Sequence, residues 1–243
     1  MEVTNTSGSG PRAVDAGRGV SWWTEAWALF AKNIGMWILM ALTLLVIYIV
    51  LAVIPLIGSL AGSLLAPVFV GGWMMAARKL EGGGTLEIGD LFSGFKDKLT
   101  PLLVLGALLL AAMIVIGVVV AGLGFGAMGG MMAGGAHQSM GGMMAAAGTG
   151  LFALLVALVL GFAMALAIWF APALVVFHGM APVDAMKASV AASLKNIAPF
   201  LVYGLLYIVA AIVASIPFGL GWIVLVPIVL LTVDVSYKDI YQS

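Results

Sequence analysis

Residues 35–77 read GMWILMALTLLVIYIVLAVIPLIGSLAGSLLAPVFVGGWMMAA, 43 positions without a single charge. As one helix, at about 1.5 Å per residue, the run would be roughly 65 Å long, about twice the ~30 Å hydrocarbon core of a bilayer. It therefore predicts two spans, with Pro55 at the turn between them. Residues 197–233 pose the same problem, since they are 37 uncharged positions interrupted by Pro217. Adding the apolar stretches in the middle of the chain gives six expected spans, at about 35–54, 56–77, 101–124, 150–177, 199–216 and 218–235. The fold class expected is all-α: a polytopic membrane protein of six transmembrane helices arranged as three hairpins.

Composition agrees. Of 243 residues, 64% are hydrophobic and only 8% charged, against roughly 25% charged in a soluble globular domain. A disordered chain would need the opposite balance. Ten Lys and Arg offset ten Asp and Glu, leaving no net field to draw in nucleic acid. The absence of cysteine excludes disulfides, thiolate metal sites and cysteine nucleophiles. Residues 1–19 are polar and rich in Gly and Ser, without the apolar core of a signal peptide. They are expected to form a disordered cytoplasmic tail ahead of a single membrane domain over 20–241.

All ten basic residues fall on one side of this threading. Arg12, Arg18 and Lys32 precede the first span; Arg78, Lys79, Lys96 and Lys98 lie between the second and third; Lys187 and Lys195 lie between the fourth and fifth; Lys238 follows the sixth. The positive-inside rule makes that side, with both termini, cytoplasmic. The expected outer loop 125–149 is long enough to hold charges and has none of either sign.

Each pair of spans is led by an apolar pattern at helical spacing. Before the first span it is Val20, Trp23, Trp27, Phe30 and Ile34; before the third, Ile88, Leu91, Phe92, Phe95 and Leu99; before the fifth, Val183, Met186, Val190, Leu194 and Ile197. These stripes predict amphipathic helices lying in the membrane interface. Details recur from unit to unit: Lys32-Asn33-Ile34 matches Lys195-Asn196-Ile197, Ile54-Pro55 matches Ile216-Pro217, and the second span of each pair carries one proline, Pro67, Pro172 or Pro227. A cation stands eleven residues after Pro67 (Arg78) and after Pro227 (Lys238), whereas Pro172 is followed at that distance by Val183, beside Asp184. Three repeats, 20–79, 86–178 and 182–238, are the expected organisation.

Candidate chemistry is sparse. No ionisable residue lies deep in an expected span; Asp234 and His178 fall near cytoplasmic ends, where they read as interfacial. Tyr48, Ser59, Ser63, Tyr203, Tyr207, Ser215 and Thr232 are polar groups suited to helix–helix bonds. Trp22, Trp23, Trp27, Trp37 and Trp73 read as interfacial anchors, and Trp169 as packing. Gly58, Gly62, Gly106 and Gly161 read as points of close helix approach. Within 125–149, Met128, Met131 and Met132 recur as Met140, Met143 and Met144, with His137 between. Thioether and imidazole groups suit Cu(I), but a flexible apolar loop has the same composition. No motif with hydrolase, P-loop or paired-carboxylate spacing occurs, so no catalytic, cofactor or metal residue is assigned.

Ile54-Pro55-Leu56-Ile57-Gly58, Phe170-Ala171-Pro172-Ala173-Leu174, the run from His178-Gly179 through Pro182 to Lys195-Asn196, and the closing Ser236-Tyr237-Lys238-Asp239-Ile240-Tyr241 carry a resemblance. Over residues 19–241 the chain resembles an uncharacterised, locus-tag-named family of proteobacterial inner-membrane proteins. More distantly it is similar to YciC-type membrane proteins and to the membrane domain of some glycerophosphodiester phosphodiesterases. The resemblance implies fold and compartment, and brings no activity. The expectation is a non-enzymatic protein that organises the lipid bilayer or unknown protein partners. The alternative is a channel or carrier for a small or lipid-like molecule, with the three prolines around a cavity.

Overall fold

The computed structural model describes residues 10–133 and 140–242. Among these the chain is helical and contains no strand. Helix α1 (Arg18–Ala31) leads into α2 (Ile34–Ala52), which Asn33 starts by accepting the N–H of Met36 at 3.3 Å. This is the usual work of an N-terminal asparagine cap. A short turn follows, then α3 (Ile57–Glu81), a 3-10 turn (Ile88–Phe92), and the short α4 (Gly94–Asp97). The long helices α5 (Leu99–Ala133) and α6 (Met140–Trp169) pack on one another, followed by α7 (Ala171–His178) and α8 (Pro182–Lys195). Helices α9 (Ile197–Ser215) and α10 (Trp222–Tyr241) complete the chain.

Five segments are long and apolar enough to cross a membrane: Ile34–Ala52, Ile57–Glu81, Leu99–Phe125, Met143–His178 and Ile197–Ser215. The expected sixth, 218–235, differs. Residues 216–221 are spent on the turn, and Asp234, Lys238 and Asp239 occupy the last two turns of α10.

Four other expectations are corrected. Helices α5 and α6 run on through 126–133 and 140–149, much of the expected outer loop; Ala and Met are good helix formers and no proline interrupts them. The expected continuous span 150–177 breaks after Trp169, so Pro172 sits in the first turn of α7, whereas Pro67 and Pro227 lie inside α3 and α10. The break is stabilised by Ser189 of α8. Its hydroxyl accepts the Phe170 N–H (3.0 Å) and donates to the Leu166 carbonyl (2.6 Å), entering the very i to i−4 bond that a continuous helix would make there. The leader of the second unit is not one interfacial helix but a 3-10 turn and α4, with the Asp90 carboxylate accepting the Glu87 N–H at 2.8 Å. Finally, residues 10–19 of the expected tail are held against the helices, as described below; residues 1–9 lie outside the described residues.

Packing is concentrated where the termini, α1 and α8 gather. Trp22, Phe30, Trp37, Met40, Phe69, Trp73, Met74, Leu102, Phe170 and Leu231 are all buried there. Trp22, Trp37 and Trp73 are thus core residues and not interfacial anchors: each fills space between helices, with the Trp37 and Trp73 rings 5.2 Å apart. Trp27 stays exposed. Helices α1 and α8 dock in the same manner. Gly19, Trp22, Ala26 and Leu29 face inward on α1, and Ala185, Ser189, Ala192 and Ser193 on α8. Val20, Trp27, Val183 and Leu194, from the expected interfacial stripes, point outward.

Toward the opposite end apolar side chains become exposed and grooves open beside Tyr48, while α2–α3 and α9–α10 stay in backbone contact at Gly58 and Gly221. Two turns there share an unusual backbone: Leu56, after Pro55, has φ 63°, and Phe218, after Pro217, has φ 54°. They are the two non-glycine residues with positive φ among those described, a conformation that costs a side chain about 1 kcal/mol or more. Phe218 is fully exposed.

Candidate functional site

The last two turns of α10 carry Asp234, Ser236, Tyr237, Lys238, Asp239 and Tyr241, and the N-terminal segment, α1, α3, α7 and α8 each place residues against them. Asp239 is the first focus. The Trp22 indole N–H donates to its Oδ2 at 2.8 Å, Arg18 Nε donates to the same oxygen, and the Arg12 guanidinium takes Oδ1 at 2.6 Å. The backbone of Arg12 bonds alongside, its N–H reaching the Ile240 carbonyl at 3.0 Å. Burial pushes the Asp239 carboxyl up, but the bonds from Trp22, Arg18 and Arg12 outweigh it and hold the group below its usual range.

Asn196 extends the clasp. Its Oδ1 accepts the Val14 N–H (2.8 Å) and its Nδ2 donates to the Arg12 carbonyl (3.0 Å), so one amide side chain reads the backbone of the N-terminal segment in both directions. Lys195 Nζ adds a bond to the Pro11 carbonyl at 2.7 Å. Asn33 and Asn196 occupy matching sequence positions and do different work: one caps a helix, the other holds a strap.

Asp234 is the second focus, and its side chain has no exposed surface. Lys238 Nζ lies 2.6 Å from Oδ2 and Arg78 Nε 3.7 Å from Oδ1. These are ion pairs by distance without hydrogen-bond alignment. Lys238 also pairs with Glu81 at the end of α3, and the Arg78 guanidinium lies over the Phe177 ring, 3.9 Å from its centroid. Asp234 was expected at the interface; instead it is enclosed, because the cations eleven residues after Pro67 and Pro227 both converge on it. Tyr237 stacks between Phe177 (5.6 Å) and Tyr241 (5.5 Å), and the exposed His178 ring packs beside both tyrosines.

Arg12, Arg18, Arg78 and Lys238 thus balance Glu25, Glu81, Asp234 and Asp239, Glu25 pairing with Arg18 at 3.0 Å. Each carboxylate here is held by a cation, so the arrangement cross-links α1, α3, α10 and the N-terminal segment. A cleft of about 480 Å³ opens between these charged walls over Ala28, Leu29 and Val235.

The other sequence candidates are dispersed. Tyr203 and Thr232 hydroxyls meet at 3.1 Å, and Trp169 Nε1 donates to Ser236 Oγ at 3.1 Å, the packing role expected of it. Ser215 accepts the Trp222 indole N–H at 3.1 Å near the second exposed turn. Pro67, Pro172 and Pro227 are buried among packed side chains. His137 lies outside the described residues, as do the side chains of Met128, Met131 and Met132. Among the described residues no group of three His, Cys, Asp or Glu converges as a metal site.

A family profile described as a domain of unknown function, DUF7847, matches residues 20–239, from the first turn of α1 to the carboxylate at the centre of the clasp. The chain belongs to the DUF7847 family. It is 29% identical over 212 residues to the probable inner membrane protein BTH_II0599 of Burkholderia thailandensis, covering 86% of this chain and 78% of that relative. No solved structure matches it. Sequence alone did not reveal Arg12, Arg18, Trp22, Asn196 and Ser189 as site residues of this DUF7847 protein. The partners that draw them into the site lie 19 to 227 positions away, and the available hints were two of the motifs that carried the resemblance, the one ending at Lys195-Asn196 and the closing one.

Proposed function

We propose that this chain is a six-span inner-membrane protein with both termini in the cytoplasm, and that it acts without catalysis, organising lipids or partner proteins. The observation that carries this reading is the contrast between a charge-neutralised, packed end and an opposite end whose apolar side chains are exposed. The name of the Burkholderia relative supports the compartment. Positive-inside orientation is supported by the fall of all ten cations on one side of the six-span threading. As the sixth span, α10 crosses enclosed by α9, α1, α2 and α3, and its charged turns are neutralised by Arg78, Arg18 and Arg12, as ionisable groups on such helices must be.

Three repeated units are part of the reading. The matching positive φ of Leu56 and Phe218 supports the equivalence of their turns, and the meeting of Arg78 and Lys238 on one carboxylate supports that of α3 and α10. The alternative, a channel or carrier, needs polar or hydrated space at the depth of the three prolines, and their burial among side chains favours the organiser instead. Native mass spectrometry of protein extracted with its own lipids tests the choice. A reproducible added mass of lipid or protein is expected; a bare protein that moves a small solute across reconstituted vesicles would overturn it.

A further inference from the structure

Helices α3 and α5 touch backbone to backbone at one level. A Cβ added to Gly106 would lie 2.3 Å from the Leu64 carbonyl oxygen. Beyond that crossing, away from the charged end, the two helices part. Leu109 and Met113 of α5, with Met164 and Ile168 of α6, then face Tyr48 and Ala66 across a groove of about 650 Å³. On its far side α2 and α3 are held together at Gly58, where an added Cβ would collide with the Leu51 carbonyl, and at Gly62, where it would press on the Tyr48 ring.

The polar groups lining this groove are already engaged. Tyr48 donates to the Gly62 carbonyl at 3.2 Å, Ser59 to the Leu56 carbonyl at 2.8 Å and Ser63 to the Ser59 carbonyl at 2.9 Å. With these hydroxyl protons spent on the backbone, carbonyl or phosphate oxygens of an occupant would find no free donor among the groove's side chains, which disfavours a polar group there. The remaining surface is apolar, and it lies between helices long enough to cross the bilayer. Apolar contact of this kind rewards hydrocarbon through packing, at no polar cost.

The geometry points to this groove as a binding site for the acyl chain of a membrane lipid, taken up laterally between the first and second helical hairpins. The inference rests on the membrane-spanning reading above and gives its lipid-organising role a location.

The test is photolabelling in vesicles of phosphatidylethanolamine and phosphatidylglycerol doped with phosphatidylcholine that carries a diazirine on its acyl chain. Adducts are expected to be enriched on Met113, Met164 and Ile168 over Leu205 and Ile212, which lie on the open face of α9. Ala66→Phe, filling the groove from α3, and Met113→Phe, filling it from α5, should each abolish the enrichment while α9 stays labelled; a melting curve shows which variant keeps its fold. Equal labelling of groove and α9, or enrichment that survives both substitutions, would overturn the site alone. Absence of label from α9 as well would contradict the membrane-spanning reading and remove the basis of the site with it.

Discussion

The two halves of the molecule use the same kinds of residue to opposite ends. At the packed end Trp22, Trp37, Trp73 and Phe170 are buried, and two carboxylates bind the N-terminal segment, α1, α3 and α10 into one body. At the other end Val53, Leu56, Ile216 and Phe218 are exposed, and so are Val115 and Val118 of α5 and Leu155 and Leu158 of α6. The difference teaches where the fold is specified. Lipid tails are as apolar as leucine, so apolar surface by itself does not draw helices together in a bilayer. Specific packing must come from shape and from polar bonds; this chain places its ion pairs and its largest buried side chains at the end where its charges lie, and leaves the other end to glycine contacts and isolated hydroxyl and indole bonds.

That contrast can be tested by paired substitutions. The largest difference should come from Trp73→Ala against Leu205→Ala. Truncating the buried tryptophan should cost about 3–5 kcal/mol, whereas truncating the open-face leucine should stay within roughly 0.5 kcal/mol. Melting temperatures in one detergent would read both, and equal shifts would break the comparison. Next comes glycine. Gly106→Ala pushes a methyl group into the Leu64 backbone and should cost about 1–3 kcal/mol. Gly161→Ala meets open space and should be neutral or stabilising by roughly 0.5–1 kcal/mol.

Asp239→Asn sharpens the account of the clasp through pH. The carboxyl is held below its ordinary value, so its contribution is fully present above about 3.9 and disappears as pH falls through the lower folded value. Wild type should therefore melt above the variant at pH 7, and the gap should close as acid protonates the wild-type group. A gap independent of pH would assign the loss to shape instead of charge. Among substitutions at the packed end the smallest effect is expected from Ser189→Ala, about 1 kcal/mol by thermal melting, since the freed Phe170 N–H can turn back toward Leu166.

Much of this was legible in the sequence because hydrophobic length and charge absence are local signals. They located α2, α3, α5, α6 and α9 and the turns at Pro55 and Pro217. Short-range pattern failed where distant residues decide the outcome. The break at Phe170 depends on a serine on α8, the burial of Asp234 depends on Arg78 from α3, and the ordering of residues 10–19 depends on Asp239 and Asn196. Glycine was half legible: Gly58, Gly62 and Gly106 are points of close approach as expected, while Gly161 faces open space. The residue type that suggests close contact is the same in each case, and only the position of the neighbouring helix separates them.

The central claim is that α10 crosses the membrane, with its turn outside and both chain ends within. The natural absence of cysteine makes the direct test clean. Phe218→Cys at the fully exposed turn and Gln242→Cys at the end of α10 would be treated, in separate samples, with a membrane-impermeant maleimide on intact spheroplasts and after lysis. The cysteine introduced at 218 is expected to react on intact spheroplasts and that at 242 only after lysis. Reaction of both from the same side would contradict the claim.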